Sequence, residues 1–291
     1  YRENLVQLLE RARSMVPPAH PGWLWVSVRH AIALHDDLGD YQRAFDVCKE
    51  LLADKRIKHE PAVACRAAAV AAISSAKLRD LETAKSLTNQ CEHFADLDPT
   101  LSVWREYTHE YLLRAEGNLS AAEESLNRAL VHAYRFRDRR YRWTALVRAT
   151  DYAFRRGDLA NAVAHAEEGI SLKAYKDVHL RDRGAMALLT GDDATFGRAV
   201  RELRRRINPD GPWPETARVM LIGLLTLTSR YLTDPHWGRE ADELLSRGHE
   251  TLENPYFAMR YAAASGDRAF ITAGHLRGAK SYREMRSLDR F

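Results

Sequence analysis

Twelve histidines, three cysteines and 40 aspartates and glutamates give this 291-residue chain the residue types from which metal sites and acid–base pairs are built. Their spacing argues against both. No His-x-x-x-His or His-Glu-x-x-His pair occurs, and no histidine stands beside a cysteine at the spacing zinc requires. Cys48, Cys65 and Cys91 form no Cys-x-x-Cys and sit inside helical patterns, which predicts reduced core thiols of a cytosolic protein. The Glu116, Glu123, Glu124 group and the Glu167–Glu168 pair have acid–base chemistry in principle, but they fall on the polar faces of amphipathic helices and read as solvated. Ser74–Ser75 lacks a Gly-x-Ser-x-Gly elbow and reads as packing; Asn118-Leu119-Ser120, a glycosylation sequon in form, reads as a helix cap. No Gly-x-x-x-x-Gly-Lys-Ser/Thr loop is present to cradle a phosphate. The chain is therefore expected to be non-enzymatic, with no catalytic residue, no metal and no cofactor.

Binding chemistry is better supplied. Tyr134 to Trp143 interleaves Arg135, Arg137, Arg139, Arg140 and Arg142 with aromatic rings, and Arg201, Arg204, Arg205 and Arg206 follow. Guanidinium groups between rings can stack on bases and neutralise phosphates. Against that reading, 44 Lys and Arg face 40 acids for a net charge of only +4, and Asp192, Asp193 and Glu202 dilute the basic field. Nucleic-acid binding through the 134–143 run is the alternative, with ordinary surface ion pairing as the larger share.

The elements that position these residues are legible from self-similarity. Tyr41-Gln42-Arg43-Ala44 recurs in kind as Leu81-Glu82-Thr83-Ala84, Leu119-Ser120-Ala121-Ala122, Leu159-Ala160-Asn161-Ala162, Phe196-Gly197-Arg198-Ala199 and Trp237-Gly238-Arg239-Glu240-Ala241. The alanines step by 40, 38, 40, 37 and 42 residues, inside the period of stacked helical repeats. Turn signals Leu38-Gly39-Asp40, Glu116-Gly117-Asn118 and Arg156-Gly157-Asp158 precede three of the runs, and Leu78-Arg79-Asp80 is a version without glycine. Glycine ends one helix in a left-handed conformation and Asp or Asn caps the next, so each unit is helix, tight turn, helix.

The 3.6-residue apolar period predicts first helices near 23–38, 61–78, 100–116, 139–156, 177–190, 214–232 and 255–264. Second helices are expected near 41–53, 80–94, 119–135, 159–173, 195–207, 238–252 and 267–286, and the recurring alanine marks a close crossing between the two. Residues 1–16 read as an unpaired amphipathic helix, a cap or the end of a preceding repeat, exposing Leu5, Leu8 and Leu9 to self-association. The Pro-rich stretches 17–22 and 208–214 mark connections, the second being the alternative place for a domain boundary. Apolar runs such as Val219 to Leu227 are far short of the ~20 residues a membrane span needs. With no initiator Met or leader pattern, the chain reads as a segment of a longer cytoplasmic protein.

Gly39-Asp40-Tyr41-Gln42-Arg43-Ala44 and Gly157-Asp158-Leu159-Ala160-Asn161-Ala162 resemble the turn and small-residue pattern of the tetratricopeptide repeat superfamily over nearly the whole chain. The long units look like the helical sensor region of maltose-regulator-like signalling ATPases; HEAT-like stacking is the rival fold. The resemblance implies an all-α, right-handed superhelical solenoid of about seven antiparallel helix pairs over residues 23–291, with first helices lining its concave face. Counting back from each turn then places Arg29, Arg66, Trp104, Tyr107, Tyr111, Arg114, Asp151, Arg181, Arg230 and Arg260 inward. The competing reading makes Trp104 and Tyr111 inter-helix core and the arginines a solvated face. On the first reading the expected function is a protein-interaction or ligand-sensing scaffold of a larger regulatory protein, taking an acidic or phosphate-bearing partner, a protein segment.

Overall fold

A computed structural model describes residues 2–137, 139–172, 176–207, 214–232 and 235–246, which are helices and short turns with no strand among them. The order is α1 Arg2–Met15, α2 Gly22–Ala33, α3 Tyr41–Ala53, α4 Pro61–Lys77, α5 Leu81–Leu97, α6 Ser102–Ala115 and α7 Leu119–Arg135. It continues with α8 Arg139–Arg155, α9 Leu159–Ser171, α10 Lys176–Thr190, α11 Asp193–Arg206, α12 Pro214–Leu232 and α13 Pro235–Ser246. The predicted helices as far as residue 246 are thus found within a few residues; the end of the one expected at 238–252 and those at 255–264 and 267–286 lie outside the described residues. No helix among the described residues is long and apolar enough to cross a membrane.

One turn, used five times, builds the pairs. Gly39, Arg79, Gly117, Gly157 and Gly191 all have positive φ, between 66° and 85°. Each is followed by a cap, Asp40, Asp80, Asn118, Asp158 or Asp192, whose side chain accepts from the backbone N–H three residues on at 3.0–3.3 Å. In the last four turns the cap's own N–H closes back on a carbonyl five residues earlier, as from Asp80 to Ser75 and from Asp158 to Ala153. One helix's orphan carbonyls and the next helix's orphan N–H groups are satisfied within four residues.

The first turn differs. Leu34–Leu38 is a π-helical turn that ends α2, and the Asp40 N–H reaches six residues back to Leu34. The extra residue shifts every α2 position before it by one relative to the other first helices.

The fifth turn corrects the expected register. With the cap at Asp192, the residue equivalent to Ala44 is Phe196, and the cap-to-cap steps are 40, 38, 40 and 34 residues. Ala199 still serves a close approach, because a Cβ added at Gly184 of α10 would stand 3.1 Å from its Cβ. Ala44, Ala84, Ala122 and Ala162 are fully buried, as the close-crossing argument requires.

By packing the chain divides inside α8, into residues Tyr1–Ala145 and Leu146–Phe291, so the division is not at 208–214. In the first unit α4 is in contact with α2, α3, α5 and α6. Its sequence explains that place: Ala64, Ala67, Ala68, Ala69, Ala71 and Ala72 are buried all round the helix, and small side chains let four neighbours approach at once. The first helices α2, α4 and α6 form one contacting row, while α3 and α5 each bridge two of them. Helix α1 is not unpaired: it packs on α2, with Val6 buried, Leu9 against the core, and Arg13 over Trp23 at 5.2 Å and on the Ser27 hydroxyl at 3.0 Å. Leu5 and Leu8 stay exposed. In the second unit α10 contacts α9, α11 and α12 and occupies the corresponding central place.

Candidate functional site

The ten expected groove residues divide between the units: Arg29, Arg66, Trp104, Tyr107, Tyr111 and Arg114 in the first, Asp151, Arg181, Arg230 and Arg260 in the second. Arg260 lies outside the described residues. So do the side chains of Arg230 on α12 and of Arg139 and Arg140 on α8.

In the first unit the row α2, α4, α6 carries two aromatic–cation nodes. At one, the Arg66 guanidinium of α4 lies over the Trp25 ring of α2 at 5.3 Å, and Trp25 is 41% exposed. Arg29, one turn along α2 from Trp25, is exposed and has no ion pair among the described residues; Arg66 uses one N–H on the Ala62 carbonyl at 3.1 Å. At the other, the Lys77 ammonium lies between the rings of Tyr41 and Tyr111, at 5.8 and 5.6 Å, and Arg114 stacks on Tyr111 at 5.0 Å. The imidazole of His35, in the π-helical turn, packs against the far partner Tyr41 at 5.1 Å and is held by Asp36 at 2.9 Å.

Two expected groove surfaces are not offered to a partner. Trp104 belongs to the core and Tyr107 is equally buried, both packing edgewise on Tyr141 at 4.7 and 6.4 Å. A buried ring face cannot act as a landing surface: the inter-helix reading fits Trp104, it does not name Tyr107, and Tyr111, which it does name, is only half-buried. Arg114 is drawn 3.7 Å from the carboxylate of Glu110, which is fully buried on the same helix. Its charge is therefore committed to a desolvated partner.

Trp25 was invisible to the turn-based count for a mechanical reason. Arg66 and Trp104 lie fourteen residues before their caps and Trp25 fifteen before Asp40, and the π-helical turn absorbs the extra residue. Lys77 and Tyr41 were missed because they flank the turn, where the count stops. The i, i+4 spacing of Trp25 and Arg29 in a helix was the one available signal.

The second unit shows paired charge. Arg181 is bound to the adjacent Asp182 at 2.8 Å, and Asp151 is exposed and paired with Arg155 at 3.0 Å. Each is a solvated or half-buried ion pair of small energetic weight.

The basic run behaves similarly. Arg142 lies over Tyr134 at 4.2 Å and Arg135 over Phe136 at 5.6 Å, while Tyr141 is turned into the Trp104–Tyr107 contact. The rings proposed for base stacking already carry the chain's own guanidinium groups or pack inside. Arg137 is exposed and takes a positive φ of 53° at the end of α7.

Carboxylates in the expected clusters are surface groups: Glu116, Glu124 and Glu167 are exposed, the last paired with Arg183 at 3.0 Å. The buried carboxylates are others. Glu106 is held by Arg128 at 2.8 Å and Arg105 at 3.2 Å. Asp177 is closed off by Arg206, and burial holds its pKa above the usual carboxylate range. These are structural ion pairs that join neighbouring helices, since each carboxylate is consumed by a guanidinium. His179 is buried against Gly169, where an added Cβ would meet the ring at 2.2 Å, and burial lowers its pKa to about 4. Among the described residues no group of three or more His, Cys, Asp or Glu side chains is placed to hold a metal ion.

Compared with known protein families and with curated proteins, the chain matches no family model and no curated sequence.

Proposed function

We propose that the chain is a tetratricopeptide-like solenoid serving as a non-catalytic interaction module, whose first-helix row in residues 1–145 takes an acidic or phosphate-bearing protein segment. The observation that carries this is the Trp25, Arg29 and Arg66 node. It combines an exposed indole with two arginines that have no carboxylate partner among the described residues. A guanidinium lying on a ring face keeps its edge N–H groups directed outward, and these match a carboxylate or phosphate in bidentate fashion. Exposed Trp with Arg is also the residue pair that most often dominates interface energy. The contacting row α2, α4, α6 supports the concave-face assignment, because helices that touch along one side of a stack are its inner side. Lys77 extends the positive strip by three turns along α4.

The test uses fluorescently labelled ten-residue peptides rich in aspartate or phosphoserine, a scrambled basic control and a single-stranded oligonucleotide, each titrated against the intact chain. Arg29→Glu with Arg66→Glu is expected to weaken the acidic peptides at least tenfold with the melting temperature unchanged, whereas Arg135→Glu with Arg137→Glu changes little. The reverse ranking, with the oligonucleotide preferred, overturns the reading in favour of nucleic acid. Equal binding of the basic control, or no acidic-peptide binding at low salt, overturns it as well.

A further inference from the structure

The three thiols are all fully buried, but they are not alike. Cys48 on α3 shares their core but makes no sulfur–sulfur contact among the described residues. Cys65 on α4 and Cys91 on α5 face each other across the pair, with their sulfur atoms 3.5 Å apart and Cys65 Sγ 3.7 Å from the Cys91 carbonyl. That is van der Waals contact, and closing to the ~2.05 Å of a disulfide needs a shift of about 1.5 Å shared by two side chains.

We propose that Cys65 and Cys91 form a dithiol that oxidises to an intrachain disulfide, a covalent staple across the second helix pair. The oxidant is hydrogen peroxide. One cysteine thiolate attacks a peroxide oxygen, breaking the O–O bond to give a sulfenic acid and hydroxide. The second sulfur displaces the sulfenic oxygen, forming the S–S bond and releasing water, so two S–H bonds and one peroxide become one disulfide and two waters. Reclosing of α4 on α5 returns the second sulfur to contact with the sulfenic acid, which favours the disulfide over further oxidation.

The contact with Cys91, and then burial, push the Cys65 thiol pKa upward. The closed helix pair is therefore a poor nucleophile, and the reaction waits on separation of α4 from α5. Oxidation thus reports opening of this pair, and the product then resists it. The staple sits beside Arg66 and closes the hairpin that contains the Arg79 turn, so it acts on the part of the chain that carries one wall of the Trp25 node. It stands without the acidic-partner reading, because only the two sulfurs and their helices enter it.

The experiment treats the intact chain with millimolar hydrogen peroxide at temperatures from 20 °C to just below the onset of unfolding. Mass is measured on the whole chain, and cross-linked peptides are mapped after digestion without reductant. Expected are a loss of two mass units, a peptide pair containing Cys65 and Cys91, and an alkylatable Cys48 after denaturation. A closed loop of this length raises the melting temperature by about 5–10 °C, reversed by dithiothreitol. The rate should climb steeply with temperature. Cys91→Ala should instead accumulate sulfinic or sulfonic acid at Cys65; since peptide mapping of the unmutated chain stands alone, a variant that fails to fold leaves the test intact. Dimers through Cys48, independent gain of oxygen at both cysteines, or three unreacted thiols near the unfolding onset would each overturn the proposal.

Discussion

Arg79 is the residue whose replacement most directly tests the shared turn. It holds φ at +67° where the other four turns place glycine between +66° and +85°, so it is the same backbone with a side chain added. A left-handed L-residue costs about 1–2 kcal/mol relative to glycine, while glycine makes the unfolded chain more flexible by about 0.4–1 kcal/mol. Arg79→Gly should therefore stabilise residues 1–145 by about 0.5–1 kcal/mol, roughly 2–3 °C in melting temperature for a unit of this size. Gly117→Ala is the mirror experiment in the same unit. An added Cβ there meets nothing within 4 Å, so the loss, of the same size and opposite sign, is purely conformational. Both are read as urea midpoints at constant slope, and both should move the same transition, whereas Gly157→Ala should move the one belonging to residues 146 onward. Destabilisation by Arg79→Gly, or a neutral Gly117→Ala, would show that these turns are not left-handed in solution, and the repeat geometry built on them would fall.

Two further outcomes follow from burial. Each unit encloses a histidine whose pKa is lowered mainly by burial: His30, near Glu10, Arg13 and Arg43, and His179, near Arg181 and Asp182, at about 4. Neutral in the fold and protonated when unfolded, they contribute stability that is complete above the ordinary value of 6.5 and is lost as pH falls toward about 4; the raised Asp177 opposes part of this. Thermal midpoints from pH 7 to 4 should decline through that window, and a profile unaffected by His179→Gln would refute the assignment. At the alanine crossing, Ala122→Leu should lower stability by about 1–3 kcal/mol because Ala122 is fully buried, while exposed Glu124→Gln stays within about 0.5 kcal/mol in the same urea titration.

The local signals for the pairs were strong because each was enforced twice, by a left-handed residue that ends one helix and a cap that starts the next. Where only one half of the signal was read, the register slipped. Aligning Ala199 with Ala44 passed over Gly191-Asp192, and the cap at Asp192 moves the equivalent position to Phe196. The partition inside α8 had no local signature, since α8 runs unbroken from Arg139 to Arg155 and the proline-rich stretch at 208–214 offered a more conspicuous punctuation. Such a division is decided by which helices share a core, a sum over distant contacts rather than a property of the residues at the boundary.

Side-chain destination was harder to read than helix position, and α6 shows why. Trp104, Tyr107, Tyr111 and Arg114 share one face by spacing, yet the first two are buried on Tyr141, the third is half-buried, and the last turns toward a buried carboxylate. Helical periodicity fixes an angle around one axis; exposure along that angle depends on what the next helix brings, here Tyr141 of α8. The same reasoning explains Trp25, which a one-residue π-helical insertion rotates into line with Arg66. An extra residue in the last turn of a helix turns everything before it by about 100° and advances it by about 1.5 Å, enough to exchange a buried face for an exposed one. The node at Trp25 therefore depends on Leu34–Leu38 as much as on its own side chains. A deletion within that turn that restored ordinary helical closure would carry Trp25 away from Arg66 while leaving both residues in place.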